Sequence, residues 1–210
     1  MQLLLTGVLF MAFVMVISKR VSALIHGFRA QSFFLFLTAL YIAMLNNNAE
    51  IYIVAGLLFA IKVVAIPYIL SRIVRRIKVE EGAGLFINPT LSVFIAVLLT
   101  YLSYLFTGRV MPDAGRSQSA AVIISLSVTL IGLFLMMSRM KAVSQIIGLL
   151  VMENGLFLIA MASAGGMPFF VEIAVFFDIF VCVVILGMFV YRINKLFTHI
   201  NVSKLQELKG

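Results

Sequence analysis

SAAVIISLSVTLIGLFLMMS, running from Ser119 to Ser138, is a stretch of twenty residues without a charge. At a helical rise of about 1.5 Å per residue it is as long as the roughly 30 Å hydrocarbon core of a bilayer is thick. Its polar groups between the two ends are the small hydroxyls of Ser125, Ser127 and Thr129. Such groups can bond back to their own helix or to a neighbour, so packing is their expected role. A soluble helix of this length would carry a polar face, and this one has none. Similar apolar runs flank it at 142–164 and 169–193 on one side and at 1–17, 21–45, 49–74 and 88–108 on the other. Charged residues make up 11% of the chain and mean hydropathy is +1.17, whereas a soluble domain carries about 25% charged residues. The expected fold is therefore all-α, a polytopic membrane protein of seven transmembrane helices. The loops are too short for a soluble domain, so the chain itself is expected to be non-catalytic and to hold no cofactor.

The basic residues give the expected orientation. Assigning loops to alternate sides puts Lys19, Arg20, Arg29, Arg72, Arg75, Arg76, Lys78, Arg139, Lys141, Arg192, Lys195, Lys204 and Lys209 on one side, and Arg109 and Arg116 on the other. Lys and Arg accumulate on the cytoplasmic flank of membrane helices. The N-terminus is thus expected outside, on an uncleaved first helix, and the C-terminus in the cytoplasm. The net charge of +8 is then mostly topology. Because these charges are dispersed among loops rather than gathered on one domain, no nucleic-acid partner is expected.

Residues 122 apart match at Lys19, Val21 and Ser22 with Lys141, Val143 and Ser144, and at Glu50 and Ile51 with Glu172 and Ile173. The same offset sets Gln31 opposite Glu153. This suggests a parallel repeat of a three-helix unit, residues 1–78 and 119–210, joined by a connector with the fourth helix at 79–118. Chance matching of apolar letters is the competing reading. Asn88 is placed to cap the connector helix with its side chain, ahead of Pro89 at the first helical position. Glu80 to Gly84, Asn46 to Asn48 and Gly165–Gly166 read as turns. Pro67, inside the third helix, removes the backbone bond to Val63 and predicts a kink close to Lys62. Cys182, in the seventh run, is assigned to packing.

The ionisable residues at mid-membrane depth are the informative ones. Glu153 stands near the middle of the sixth run, Asp178 about ten residues into the seventh, and Lys62 about halfway along the third. A charge at such a depth costs about 2.5–3.5 kcal/mol on translocon scales. Burial penalises the charged form of acids and amines alike, which brings both toward reversible protonation near neutral pH. A proton or sodium pathway through Glu153, Asp178, Lys62 and the polar Gln31 is the functional reading. The bland reading is an inert ion pair of Lys62 with Glu153 or with Asp178. His26 and Arg29, in one third of the second helix, and Glu50 and Glu172, near the opposite helix ends, are candidate points of ion access or exit; snorkelling or interfacial placement competes for each. No metal-ligand spacing, nucleophile and base set, or phosphate loop is present.

Ser138 to Lys141, then Ile147–Gly148–Leu149 through Met152–Glu153–Asn154–Gly155, then Asp178 and the tail Asn201 to Gly210 resemble the small subunit K of NADH-quinone oxidoreductase. The whole chain is similar to the hydrogenase-4 component E family, from the membrane arms of energy-converting nickel–iron hydrogenases and formate hydrogenlyases. The resemblance implies a non-catalytic membrane-arm subunit in a prokaryotic cytoplasmic (inner) membrane. Antiporter-like subunits and a peripheral redox arm would be its partners, and nickel–iron and iron–sulfur centres would lie on those other chains. It also implies that Glu153 and Asp178 belong to a polar, proton-conducting axis. In subunit K the corresponding second-helix glutamate aligns with Leu150 here, and Glu153 lies one helical turn away on the same face. The alternative is a self-sufficient small-solute transporter, which shares a three-plus-one-plus-three helix arrangement. A retinal-binding photoreceptor is disfavoured, since the one intramembrane lysine is on the third helix.

Overall fold

The computed structural model describes residues 1–46, 49–76, 86–112 and 115–163, and these are all-helical apart from short links. Six apolar runs of the sequence become helices close to their expected bounds. α1 is Gln2–Ile17, α2 is Val21–Asn46, and the third run is divided into α3, Ala49–Leu58, a π-helical stretch, Phe59–Ala65, and α4, Ile66–Arg76. α5 is Pro89–Val110, α6 is Arg116–Ser138 and α7 is Ala142–Ser163. The expected seventh helix, with Asp178, Glu172 and Cys182, lies outside the described residues, as do the turns expected at 80–84 and 165–166.

Five of the helices are long and apolar enough to cross a membrane: Val21–Leu45, Ile51–Arg75, Pro89–Val110, Gln118–Ser138 and Ala142–Ala162. This makes a membrane protein of the chain. α1 has 16 residues, about 24 Å at the usual rise, and so falls short of the span length assigned to the run 1–17. Large apolar side chains point outward all along α5, from Phe94 and Tyr101 to Phe106, as expected of a helix whose solvent is hydrocarbon. Hydroxyls on the helices are satisfied within their own turn: Thr100 donates to the Ala96 carbonyl, Ser103 to Leu99, Thr107 to Ser103, Ser127 to Ile123 and Thr129 to Ser125. That local pairing leaves few polar atoms open to lipid.

α6 and α7 form the closest-packed pair, an antiparallel hairpin, and small residues permit its closeness. A methyl group built on Gly132 would meet the Met152 backbone, one on Gly148 the Met136 backbone, and one on Gly155 the Thr129 backbone. Backbone approach through glycine is how helices gain dispersion contacts where no hydrophobic force separates protein from lipid. Around this hairpin, α1 packs on α2, α5 and α6, and α2 packs on α7 and on all three parts of the third run. Met15, Phe28, Leu35, Ile131, Ile147 and Leu150 fill the shared core.

Two local expectations are corrected. Asn88 occupies the cap position before Pro89, but its side chain makes no capping bond; its carbonyl instead accepts from the Ser92 amide at 3.0 Å and the Ser92 hydroxyl at 3.1 Å. Pro89, at the first helical position, has no N–H and so leaves one fewer open donor in the first turn. The disturbance ahead of Pro67 takes the form of a π-helix rather than a simple proline kink, the Ile66 amide donating to the Ile61 carbonyl in the wider register. Pro67 follows with no N–H, so neither the narrower nor the wider ladder can continue through it.

Candidate functional site

Lys62 lies in the middle of the π-helical stretch and is fully buried. π turns put an extra residue into a helix and redirect the side chains around it. Here the redirected ammonium meets the middle of α7, where Lys62 Nζ donates to Glu153 Oε1 at 2.9 Å and to Asn154 Oδ1 at 3.1 Å. Neighbouring residues of a helix do not share a face, so one ammonium between Glu153 and Asn154 reaches across about a quarter turn of α7. Glu153 is 3% exposed and Asn154 0%.

The bonding continues away from the charges. Asn154 Nδ2 donates to Gln31 Oε1 at 3.1 Å and to Ser32 Oγ at 3.3 Å, and Gln31 Nε2 donates to the Val8 carbonyl of α1 at 3.2 Å. All of these groups are buried. A polar seam therefore joins α1, α2, the π-helical stretch and α7 at one level of the bundle. Asn154 is its hub: its carbonyl oxygen takes the ammonium and its amide nitrogen serves both α2 residues. Lys62 and Glu153 can each hold or release a proton, whereas Asn154, Gln31 and Ser32 can only orient and solvate them.

Three of the four expected pathway residues thus meet directly or through one neighbour: Lys62, Glu153 and Gln31. Asp178, the fourth, lies outside the described residues, and so does Glu172. Glu50 falls in the first turn of α3. His26 and Arg29 are not part of the seam. They line a separate groove of about 520 Å³ with Tyr68, Arg72 and Arg75 of α4. Among the described residues no three His, Cys, Asp or Glu side chains converge as metal ligands would.

Two participants escaped the sequence reading as site residues. Asn154 carries no charge and so raised no signal beside Glu153, although a primary amide in the middle of an apolar helix is itself a buried polar group that needs partners. Arg139 was counted among the flanking cations. Instead it is 2% exposed and clamps the end of α1, with Nη1 donating to the Ser18 carbonyl at 2.9 Å and Nη2 to Met15 and Val16 at 3.0 and 3.1 Å. The last carbonyls of a helix have no partner of their own and carry partial negative charge, which a guanidinium fork suits. Desolvation lowers the Arg139 pKa from its ordinary value, but arginine stays protonated. Gln145 Nε2 donates to the Arg139 carbonyl at 2.8 Å and holds the link between α6 and α7 in place.

Comparison with known proteins adds one relative. An uncharacterised protein of Mycobacterium tuberculosis is 28% identical over 165 residues, which cover 78% of this chain and 75% of that protein. No family model and no solved structure matches the chain. The likeness therefore extends over most of both proteins and brings no assigned activity with it.

Proposed function

We propose that this chain is a non-catalytic membrane subunit of a redox-driven ion-translocating complex, of the energy-converting hydrogenase type, and that its buried Lys62–Glu153 pair belongs to the proton or sodium pathway. The observation that carries the proposal is the pair itself. Two ionisable groups, both almost wholly buried, sit where three helical elements meet inside an apolar bundle. Removing both charges in favour of apolar side chains is often neutral or stabilising in a protein interior, so retention of a buried pair fits use better than glue. A lysine and a glutamate in contact share one mobile proton. A charge arriving nearby would change which of them holds it, and this is the elementary step of a relay. The resemblance to subunit K would add Asp178 to the relay.

The reading of two three-helix units gains support from the cross-links. Asn154 bonds to Ser32 and Gln31, and Arg139 bonds to Ser18, across sequence separations of 122, 123 and 121. The offset found in the sequence is 122. Positions that correspond in the two units would meet in this way if a twofold axis along the membrane normal passed near Ser32 and Asn154, with the polar seam on it.

Mass spectrometry of what co-purifies with a tagged chain in mild detergent tests the assignment. Antiporter-like subunits and a nickel–iron or quinone-linked redox arm are expected. A solitary chain or homo-oligomer that moves a solute across vesicles by itself would overturn the subunit reading and favour a carrier.

A further inference from the structure

The groove between the start of α2 and α4 has a chemistry that the buried seam does not use. Arg29 and His26 stand three apart on α2, and Arg72 and Arg75 three apart on α4, so two basic pairs face one another across the opening. All four side chains are exposed, and among the described residues none that lines the groove is acidic. Arg72 Nη1 donates to the Tyr68 hydroxyl at 3.3 Å, which fixes one guanidinium at the rim without neutralising it. The three arginines gathered in this way repel one another, and an anion among them relieves that repulsion.

The walls below the rim indicate what kind of anion. Ile25 and Pro67 are buried in the floor, and Val64 and Tyr68 are 47% and 62% exposed along the side. Both helices here are parts of membrane-crossing spans, Val21–Leu45 and Ile51–Arg75. A soluble anion needs only the basic rim. A basic rim above an exposed apolar wall matches a molecule with a charged head and a hydrocarbon tail.

We infer that this groove binds the headgroup of an anionic phospholipid, with its phosphate held among Arg29, Arg72 and Arg75 and the upper part of an acyl chain lying along Val64 and Tyr68. Arginine suits the role because its planar fork bonds two phosphate oxygens at once. The side on which these residues lie is the cation-rich one, and the sequence places it in the cytoplasm, where anionic lipid is recognised by such clusters. The site is separate from the Lys62–Glu153 seam and stands or falls independently of it.

Native mass spectrometry of the full chain, titrated in detergent with phosphatidylglycerol or phosphatidylcholine, tests the inference. Phosphatidylglycerol is expected to remain bound where phosphatidylcholine is lost. Each of R29Q, R72Q and R75Q should weaken retention about fivefold, and the triple variant should lose it. R109Q, which removes one charge at the opposite end of the bundle, should bind as the unaltered chain does. R72K keeps the charge without the fork and should fall between; it also guards against misfolding of the glutamine variants. Equal retention of the two lipids, or a triple variant that binds as the unaltered chain does, would overturn the inference. Inorganic phosphate binding in the absence of lipid as tightly as phosphatidylglycerol would overturn it too, making the occupant a soluble anion.

Discussion

A double-mutant cycle on Lys62 and Glu153 would measure the pair that organises the bundle interior. Lys62→Met keeps most of the side-chain volume and removes the ammonium; Glu153→Gln keeps the shape and one acceptor oxygen and removes the charge. Nζ and Oε1 are 2.9 Å apart with side chains 1% and 4% exposed. Two unit charges at that distance attract by roughly 6 kcal/mol at an effective dielectric of about 20, and desolvation cancels much of this. Removing one partner of a buried pair typically costs about 3–5 kcal/mol because the other charge is stranded. Each single variant should therefore lose about 3 kcal/mol. The double variant should lose well under the sum, leaving a coupling of about 2 kcal/mol, within the usual range for members of one network. The cycle isolates the pairwise contribution provided that each single variant removes the interaction without making a new one. Reversible unfolding in mixed detergent micelles, followed by far-ultraviolet circular dichroism, supplies the four free energies. A double variant that loses the full sum, with a coupling below about 0.5 kcal/mol, would refute the pairing.

Arg139→Met should cost about 3 kcal/mol in the same unfolding assay, since it strips a charged donor from three carbonyls at the end of α1. Arg139→Lys should recover only part of that, because an ammonium lacks the fork; a lysine variant no better than methionine would show that charge at the helix end is immaterial. Gly155→Leu should separate α6 from α7 at Thr129 and lower the midpoint of thermal unfolding in detergent, at an overpacking cost of about 1–3 kcal/mol. An unchanged midpoint would mean that the hairpin is less tightly packed than described.

Helix positions were legible in the sequence because the bilayer imposes one length on every apolar run, and Val21–Asn46, Pro89–Val110, Arg116–Ser138 and Ala142–Ser163 fall within a few residues of the runs read there. The form of the third run was not. Pro67 marks where the ladder must break, but whether the chain answers with a kink or a π turn depends on how the neighbouring helices pack. Lys62 and Glu153 stood out because charge is expensive in hydrocarbon. Their pairing is one of two named from the sequence, the other being Lys62 with Asp178, but the pattern of residues alone did not single it out, since it rests on a contact 91 residues apart along the chain. The clamp made by Arg139 was not legible for a related reason. A basic residue directly after an apolar run has the composition of a flank, and only the fold brings the end of α1 beneath it. Asn154 is neutral, and its importance as hub comes from partners on two other elements, the π-helical stretch and α2, rather than from its own helix.

Ion translocation coupled to electron transfer tests the central claim most directly. In inverted membrane vesicles carrying the proposed complex with Glu153→Gln in this chain, the redox reaction is expected to continue while ions moved per electron fall severalfold, measured with a pH-sensitive dye for protons and radioactive sodium for sodium. A Glu153→Gln complex that assembles normally and moves as many ions per electron as the unaltered one would contradict it.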